Sequence, residues 1–359
     1  MNIRAALVSV LLGFAGALTA AHAATTFAIV TPDRQVELPR DHGAHPDHRT
    51  EWWYVTGWLE TESGETLGFQ VTFFRTKPDL ASGNPSAFTP RQLIIGHAAL
   101  SDPKHGKLWK DQRIARAVLG LAGAQTEETR VWLDRWSLQR NGDRYVTTIQ
   151  TDDFSLDLAL DVTQPPMLNG RGGYSQKGPA PESASYYYSL PHLKVSGQID
   201  REGVRHNVRG TAWLDHEWSS AYLDEDATGW DWLGVNLDDG GALMLFRIRD
   251  GAGAQRWGGG TWRKPDGTQR VFLPDEIEFT PLTQWTSPRT AIRYPVRWRV
   301  RAADLLVDID PLMNDQESDS RLSTGAIYWE GAVTVKRDGR RIGRGYLELT
   351  GYGDRLRLP

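Results

Sequence analysis

The sequence predicts an all-β protein made of antiparallel strands, and three observations lead to this prediction. Apolar and polar residues alternate in short runs such as Phe154–Asp161 and residues 296–301, the pattern of a sheet with one solvated face. Helical periodicity is scarce, with residues 113–122 as its best candidate. Turn pairs that tolerate positive φ and favour tight hairpins separate the runs. These pairs are Ser63-Gly64, Asn141-Gly142, Asp239-Gly240, Asp266-Gly267 and Asp338-Gly339. A sandwich or barrel is expected.

The first 23 residues have the pattern of a secretory signal. Arg4 supplies the positive start, residues 5–20 are hydrophobic, and Ala21-His22-Ala23 fits a cleavage site. No later segment reaches the roughly 20 uninterrupted apolar residues that a membrane-spanning helix needs. We therefore expect cleavage of residues 1–23, export to the periplasm, and no membrane span in the mature chain.

Composition excludes several classes of site. The chain has no cysteine, which rules out thiol nucleophiles, thiolate metal sites and disulfides. The net charge of -4 is mild, so there is no electrostatic case for binding nucleic acid or an anionic membrane.

The length predicts two domains, because the mature chain exceeds one typical core of about 100–200 residues. Between residues 162 and 185 the composition changes to Pro, Gly and Ser. This segment is interpreted as a linker or long surface loop, and a lid over a cavity is the alternative. We place the boundary near His192, which gives domains at 24–192 and 193–359.

Residues 212–232 hold four tryptophans, a histidine and six carboxylates. If this stretch begins as a strand, successive side chains point to opposite faces. One face then carries Trp213, Asp215 and Glu217. The other face carries Leu214, His216 and Trp218. We interpret the stretch as the polar centre of an otherwise apolar cavity.

Tryptophan is unusually frequent, with fifteen in the chain, about three times the number that average usage predicts. Any single one is best explained as core filling. Together they suit a pocket that holds a long or bulky apolar ligand and places one polar end of it.

A second dense stretch covers residues 41–48, where three histidines and two aspartates precede a strand-like run. Imidazole and carboxylate are zinc ligands, but the spacing matches no known ligand frame, and Gly43 and Pro46 make it a loop. Structural or solvated histidines are the favoured interpretation, and a metal site is the alternative. Glu51 opens the following aromatic strand, where a carboxylate is either hydrogen-bonded inside the barrel or aimed into the cavity.

Six motifs along the mature chain resemble those of the AttH/CrtC family. They are EWWYVTG at 51–57, GFQVTFFR at 68–75, GTAWLDHEW at 210–218, GWDW at 229–232, YWEG at 328–331 and GYLELTGY at 345–352. The resemblance implies two lipocalin-like β-barrel domains packed together in a calycin-type architecture.

For function, the resemblance implies two directions. The hydratase branch of the family, typified by carotenoid 1,2-hydratase, adds water to the terminal double bond of an acyclic carotenoid, and a fungal relative steers pericyclic cyclisations. The AttH branch, which this chain resembles more closely, is encoded with an ABC exporter. His216-x-Trp218 matches by spacing a histidine and tryptophan pair that matters in the hydratase. The tyrosine and aspartate of that enzyme have no assigned counterpart.

Residue types also bear on the chemistry. Hydrating an alkene requires a carboxylic acid that is still protonated and aromatic faces that shelter positive charge. Burial among indoles raises a carboxyl pKa, so Asp215, Glu217 or Asp231 could be this acid, with His216 orienting water. The alternative for each acid is a buried network with Arg75 and Arg247 as counter-ions. A serine hydrolase is disfavoured, because no G-x-S-x-G elbow occurs.

Two hypotheses follow from the sequence. The first is an exported lipocalin-like protein that binds an apolar or lipid-like ligand and works with an ABC exporter. The alternative is a hydratase-type lyase acting on an isoprenoid. Under either hypothesis, His216→Ala and Glu217→Gln should reduce function more than stability. We expect no cofactor and no metal. The catalytic candidates are Asp215, His216, Glu217 and Asp231. The ligand-binding candidates are Glu51, Trp52, Trp53, Tyr54, Gln70, Arg75, Trp213, Trp218, Trp230, Trp232, Arg247, Trp329 and Glu330.

Overall fold

A computed structural model describes residues 26–78 and 91–356 of the chain. Within these ranges, two short 3-10 helices, Arg40–His42 and Pro274–Glu276, accompany twenty-three strands. The strands are β1 (Thr50–Thr61), β2 (Thr66–Thr76), β3 (Leu93–Ser101), β4 (Leu108–Arg116), β5 (Ala122–Ala124), β6 (Arg130–Leu133), β7 (Trp136–Asn141), β8 (Arg144–Gln150), β9 (Phe154–Asp161), β10 (Met167–Leu168), β11 (Tyr174–Gln176), β12 (Ala184–Arg201), β13 (Val204–Ala221), β14 (Gly229–Leu237), β15 (Ala242–Arg249), β16 (Gln255–Arg263), β17 (Gln269–Phe272), β18 (Ile277–Thr286), β19 (Arg293–Ala302), β20 (Leu305–Pro311), β21 (Glu317–Ser320), β22 (Ala326–Arg337) and β23 (Arg340–Leu349).

The first sheet has the strand order β4-β3-β2-β1-β13-β12-β9-β8-β7-β6-β5, and β10 and β11 pair with β12. Its two ends approach each other, since β3 and β4 contact β5 and β6, and the sheet is a nearly closed antiparallel barrel. Buried side chains such as Phe69, Leu156 and Trp218 fill its interior.

The second sheet has the order β17-β16-β15-β14-β23-β22-β20-β19-β18, and β21 pairs with β22. Its own core contains Trp298, Trp329 and Leu347. Neighbouring strands in both sheets are antiparallel, so the predicted all-β, lipocalin-like class is confirmed.

Local sequence patterns explain most of these strands. All five predicted turn pairs connect hairpin strands, and the glycine of each has positive φ. In β9 and in residues 296–301 of β19, buried residues alternate with exposed or half-buried ones. The helix considered for residues 113–122 is wrong. Residues 108–116 instead form β4, because pairing along β3 satisfies their backbone groups and outweighs a weak local pattern.

The chain passes from one sheet to the other between Ala221 and Gly229. Residues 193–221 thus pair within the first sheet, and the domain boundary proposed near His192 stays a prediction. The proposed signal segment lies outside the described residues. No helix in the described part of the chain has the length and apolar character to span a membrane.

A third cluster of buried side chains joins the two sheets and includes Tyr54, Trp213, Trp232 and Tyr346. The two sheets can pack closely at this contact because β2 has a glycine where it faces β22. A Cβ on Gly68 of β2 would come within 2.6 Å of the Ala332 methyl group of β22. A cleft opens within this contact region.

Candidate functional site: a carboxyl-lined aromatic cleft

Strand β13 supplies side chains to two different environments. It lies between β1 and β12, and its side chains alternate between the barrel interior and the second sheet, as predicted. Leu214 and Trp218 belong to the barrel core. Asp215 and Glu217 line a cleft between the sheets, and Trp213 belongs to the cluster that joins the sheets.

The cleft has aromatic walls and four carboxyl groups. The aromatic residues are Trp52, Tyr54, Phe74, Tyr222, Trp230, Trp232 and Tyr328, and the acids are Asp215, Glu217, Glu330 and Glu348. The cleft has a volume of about 70 Å³, or about 810 Å³ if the space at its open mouth is included. The cleft is therefore narrow and suits a flat or chain-like molecule.

Asp215 is buried and hydrogen-bonded to three neutral donors. Tyr187 Oη (2.7 Å), Ser189 Oγ (2.6 Å) and Trp213 Nε1 (2.6 Å) all donate to its carboxylate. Burial raises the pKa of Asp215 to about 7, although these three bonds act in the opposite direction. Asp215 thus changes charge near neutral pH.

Glu217 forms a buried ion pair with Lys177. Lys177 Nζ lies 3.0 Å from Glu217 Oε1, and Ser185 Oγ also donates to Glu217. Burial raises the pKa of Glu217 and lowers that of Lys177, and each group partly offsets the shift of the other. The Lys177 ammonium also lies 4.1 Å from the centroid of the Phe246 ring, a cation–π contact.

Glu330 and Glu348 stand directly opposite each other on β22 and β23. Side chains in such a pair are neighbours on one face of a sheet, and like charges there repel. Burial, followed by repulsion from Glu348, raises the pKa of Glu330 well above its usual value. Burial raises the pKa of Glu348 to about 7. At least one of the two is therefore protonated at neutral pH.

Two polar atoms, one within this pair and one next to it, have no well-formed hydrogen bond. They are Glu330 Oε1 and the Tyr54 hydroxyl, and both are buried. A buried polar atom without a partner is costly. These atoms mark the part of the cleft where a ligand would complete the hydrogen bonding.

Three candidates lie away from the cleft. Asp231 forms ion pairs with Arg247 (2.5 Å) and Arg249 (3.1 Å) and accepts a hydrogen bond from Tyr352 Oη at 2.9 Å. This arrangement is the buried network considered for it. Trp329 fills the core of the second sheet, and its indole N–H donates to the Asn314 carbonyl.

A further group of candidates forms a polar network inside the barrel. Glu51 accepts from His216 Nε2 (2.8 Å), His45 Nδ1 (2.7 Å) and Arg75 Nε (2.8 Å). Burial alone would raise the pKa of Glu51, but His45 and Arg75 hold it well below the usual value. Trp53 stacks on His216 with ring centroids 4.8 Å apart, and Trp218 stacks on His45 at 3.7 Å.

The ligand atoms of His45, Glu51 and His216 lie within 4.8 Å of one another, so these residues could hold a metal ion. The same atoms already form the hydrogen bonds of the network, and the Arg75 guanidinium lies beside them. We therefore interpret the cluster as structural. His42 and His48 are also buried, and burial lowers the pKa of His42 to about 3 and of His48 to about 4. The structural interpretation of these histidines fits this placement, whereas a solvated one does not.

The remaining candidates lie in or near the cleft. Trp52, Tyr54, Trp230, Trp232 and Glu330 line it. Gln70 is buried on the same face of β2 as Thr72, a lining residue to which its amide donates.

Sequence reasoning missed Glu348, Lys177, Tyr187, Tyr222 and Tyr328. Glu348 carried a usable signal, because it is a lone carboxylate between two leucines in an apolar strand, as Glu51 is among aromatic residues. Lys177 carried none, since only the folded chain brings it to Glu217.

Comparison with known proteins adds a family assignment. The family model described as AttH-like matches residues 29–352. A crystal structure of a provisionally named AttH from Nitrosomonas europaea is 53% identical, with a TM-score of 0.86. It covers 91% of this chain and 100% of its own. No curated protein matches the sequence.

Two more distant structures share the fold. Kievitone hydratase from Nectria haematococca is 14% identical with a TM-score of 0.68, and it covers 91% of this chain and 96% of its own. CghA with Sch210972 is 12% identical with a TM-score of 0.54 and covers 92% and 97%. At these identities the similarity extends to the fold alone.

Proposed function

We propose, on the basis that the chain belongs to the AttH-like family, that it binds an apolar, unsaturated small molecule in the cleft and transfers a proton to it. The reaction class is that of a hydratase, a lyase that adds water to a carbon–carbon double bond. An acyclic isoprenoid is the proposed substrate class.

The observation that carries this proposal is the Glu330 and Glu348 pair. Two facing carboxyl groups without a basic residue among the described cleft-lining side chains cannot both be ionised at low cost. One group can then act as an acid while the other acts as a base. The aromatic walls exclude water and can shelter positive charge on carbon.

In the proposed reaction, protonated Glu330 gives its proton to one alkene carbon, which forms a C–H bond and leaves positive charge on the neighbouring carbon. Water then forms a C–O bond to that carbon and loses a proton to the Glu348 carboxylate. Proton exchange between the two carboxyl groups restores the starting state. General acid–base catalysis of this kind contributes about 10²–10⁴-fold in rate.

The test uses geranylacetone and squalene, two acyclic isoprenoids, in water enriched in oxygen-18. We expect a labelled tertiary alcohol by mass spectrometry with the full-length protein. Glu330→Gln and Glu348→Gln should each lower its rate by at least about 10²-fold, while Glu225→Gln, an exposed change of the same kind, leaves it unchanged. Equal rates in all variants would remove the carboxyl pair from the mechanism.

A carrier that shelters an apolar molecule is the second candidate. It is favoured by Asp215 and Glu217, whose carboxylates are already engaged by protein partners. Quenching of tryptophan fluorescence by the same isoprenoids, with recovery of unchanged ligand, would support the carrier. Export to the periplasm and association with an ABC exporter belong to this second proposal and rest on the sequence.

A further inference from the structure

We infer that the cleft stabilises positive charge in a bound molecule and takes lipophilic organic cations beside Glu330 and Glu348. This inference deepens the proposed function and rests on it for the location of the ligand site. It also assigns a ligand class, an ammonium ion with apolar substituents, which mimics the positive carbon of the proposed reaction.

The first support is the imbalance of charge. Four carboxyl groups line the cleft, and none of its described lining residues is Lys, Arg or His. The buried Lys177 ammonium contacts only Glu217 of these four acids. The other three acids, Asp215, Glu330 and Glu348, form no salt bridge within the described residues, so a ligand cation in the cleft would lie near acids that have no basic partner.

The second support is independent of the charge count. Glu330 Oε1 is buried without a well-formed hydrogen bond, although the Tyr54 hydroxyl interacts with the Glu330 carboxyl group, and Glu330 as a whole is only 5% exposed. A positively charged group placed beside it would compensate an oxygen that the protein leaves without a well-formed hydrogen bond.

The third support is the aromatic wall. Trp52, Trp230 and Trp232 share the cleft with Tyr222 and Tyr328. Indole and phenol faces attract ammonium groups, and this attraction strengthens when the cation is desolvated. Acids together with aromatic rings are the combination that recognises an organic cation with apolar substituents.

Several other groups face the pair and set its protonation. They are the phenols of Tyr54, Tyr222, Tyr328 and Tyr346 and the acids Asp215 and Glu217. The phenols stay neutral because burial raises the pKa of each. The nearby acids add repulsion that raises the pKa of Glu348, after burial itself. A bound cation would favour the ionised form of Glu348 and so displace a proton.

The experiment compares benzyltrimethylammonium with neopentylbenzene, its neutral isostere, by tryptophan fluorescence quenching of the full-length protein. We expect the cation to bind at least tenfold more tightly at pH 8. Because a quaternary ammonium ion cannot titrate, pH dependence of its binding reports on the protein. Its affinity should rise by up to about tenfold per pH unit between pH 6 and 7, as release of one proton requires.

Glu348→Gln, which removes the carboxylate that the cation ionises, should lower the preference for the cation over the isostere by about tenfold at pH 8, while Glu225→Gln keeps it. Equal binding of the two probes, failure of the cation to bind, or pH-independent cation binding in the unmodified protein would overturn the inference. None of these results would affect the isoprenoid hydration assay, so the proposed function is judged separately.

Discussion

Two buried glutamates show how strongly the environment decides the role of a side chain. Glu51 and Glu330 both lie in largely apolar strands and are almost fully buried. Glu51 meets Arg75 and two histidines, which keep it ionised. Glu330 meets another carboxyl group and aromatic rings, which favour its protonated form. Glu51 therefore suits a structural role, and Glu330 suits chemistry or ligand binding.

The residues His216 and Glu217 separate in the same way. The sequence alone predicts that changing either affects function more than stability. The structure places His216 in the barrel network and Glu217 in the cleft. We now expect a stability effect from His216→Ala, and from Glu217→Gln an effect on function together with a loss of stability, because that change leaves the buried Lys177 ammonium without its counter-ion.

Glu51→Gln should lower the free energy of unfolding by about 3–5 kcal/mol, because it leaves the buried Arg75 guanidinium without its counter-ion. Chemical denaturation at pH 7 measures this loss. Glu60→Gln in the same strand is the control, and since its carboxylate is half-exposed and 3.9 Å from Arg209, it should change stability by less than about 0.5 kcal/mol. Similar losses in the two variants would contradict the structural role of Glu51.

At the scale of elements, the segment rich in Pro and Gly is neither a free linker nor an open loop. It contains β10 and β11, which pair with β12, and it is tied to the second sheet. Gly170 N–H donates to Thr261 Oγ1 at 3.0 Å, and the Trp257 indole N–H donates to the Gln176 carbonyl at 3.0 Å. These bonds hold Lys177 in place beside Glu217.

Trp257→Phe should loosen this segment. Loss of one neutral hydrogen bond costs about 1 kcal/mol, so we expect residues 170–178 to exchange amide hydrogen about fivefold faster, measured by mass spectrometry. Trp262→Phe in the same strand is the matched control, because the Trp262 indole nitrogen is buried without a partner. Equal acceleration in both variants would mean that the Trp257 bond does not hold the segment.

At the scale of the whole molecule, hydrogen bonds between the two sheets hold them in position around the cleft. His97 of β3 is hydrogen-bonded to Tyr328 Oη and, at 2.8 Å, to Ser323 Oγ, both from the second half of the chain. The Trp58 indole N–H of β1 donates to the Gly345 carbonyl of β23 at 3.0 Å. The cleft depends on these contacts between sheets as well as on its own lining.

His97 should make this contact sensitive to acid. Burial lowers its pKa to about 3, whereas an unfolded histidine titrates near 6.5. Between these values the unfolded chain binds the extra proton, so stability falls as pH falls, by up to about 1.4 kcal/mol per pH unit. Glu348, with its raised pKa, acts in the opposite sense between about pH 4.5 and 7, so the test must compare variants at each pH.

His97→Gln should therefore lose less stability between pH 7 and pH 5 than the unmodified protein, as measured by urea unfolding at several pH values. His206→Gln, in β13 close to its turn with β12, is the control and should keep the original slope. Parallel pH profiles for the unmodified protein and His97→Gln would show that His97 does not link the sheets through its neutral form.

Local patterns predicted a large part of this protein. Alternation and turn pairs predicted the antiparallel strands, because strand period and hairpin geometry are properties of a few adjacent residues. The same alternation placed Asp215 and Glu217 on one face of β13 and His216 on the other. The crowding of acids and tryptophans in residues 212–232 pointed to the strand that borders the cleft.

Only the tertiary structure decided which acids share the cleft and with what partners. Asp231 forms ion pairs with Arg247 and Arg249, whereas Glu330 lies opposite Glu348 on the neighbouring strand. The protonation of a buried carboxyl group depends on charges brought near it by strand pairing and sheet packing over long sequence distances. The sequence by itself determined the strands and their faces, but the chemistry of the cleft depends on neighbours that only the folded chain brings together.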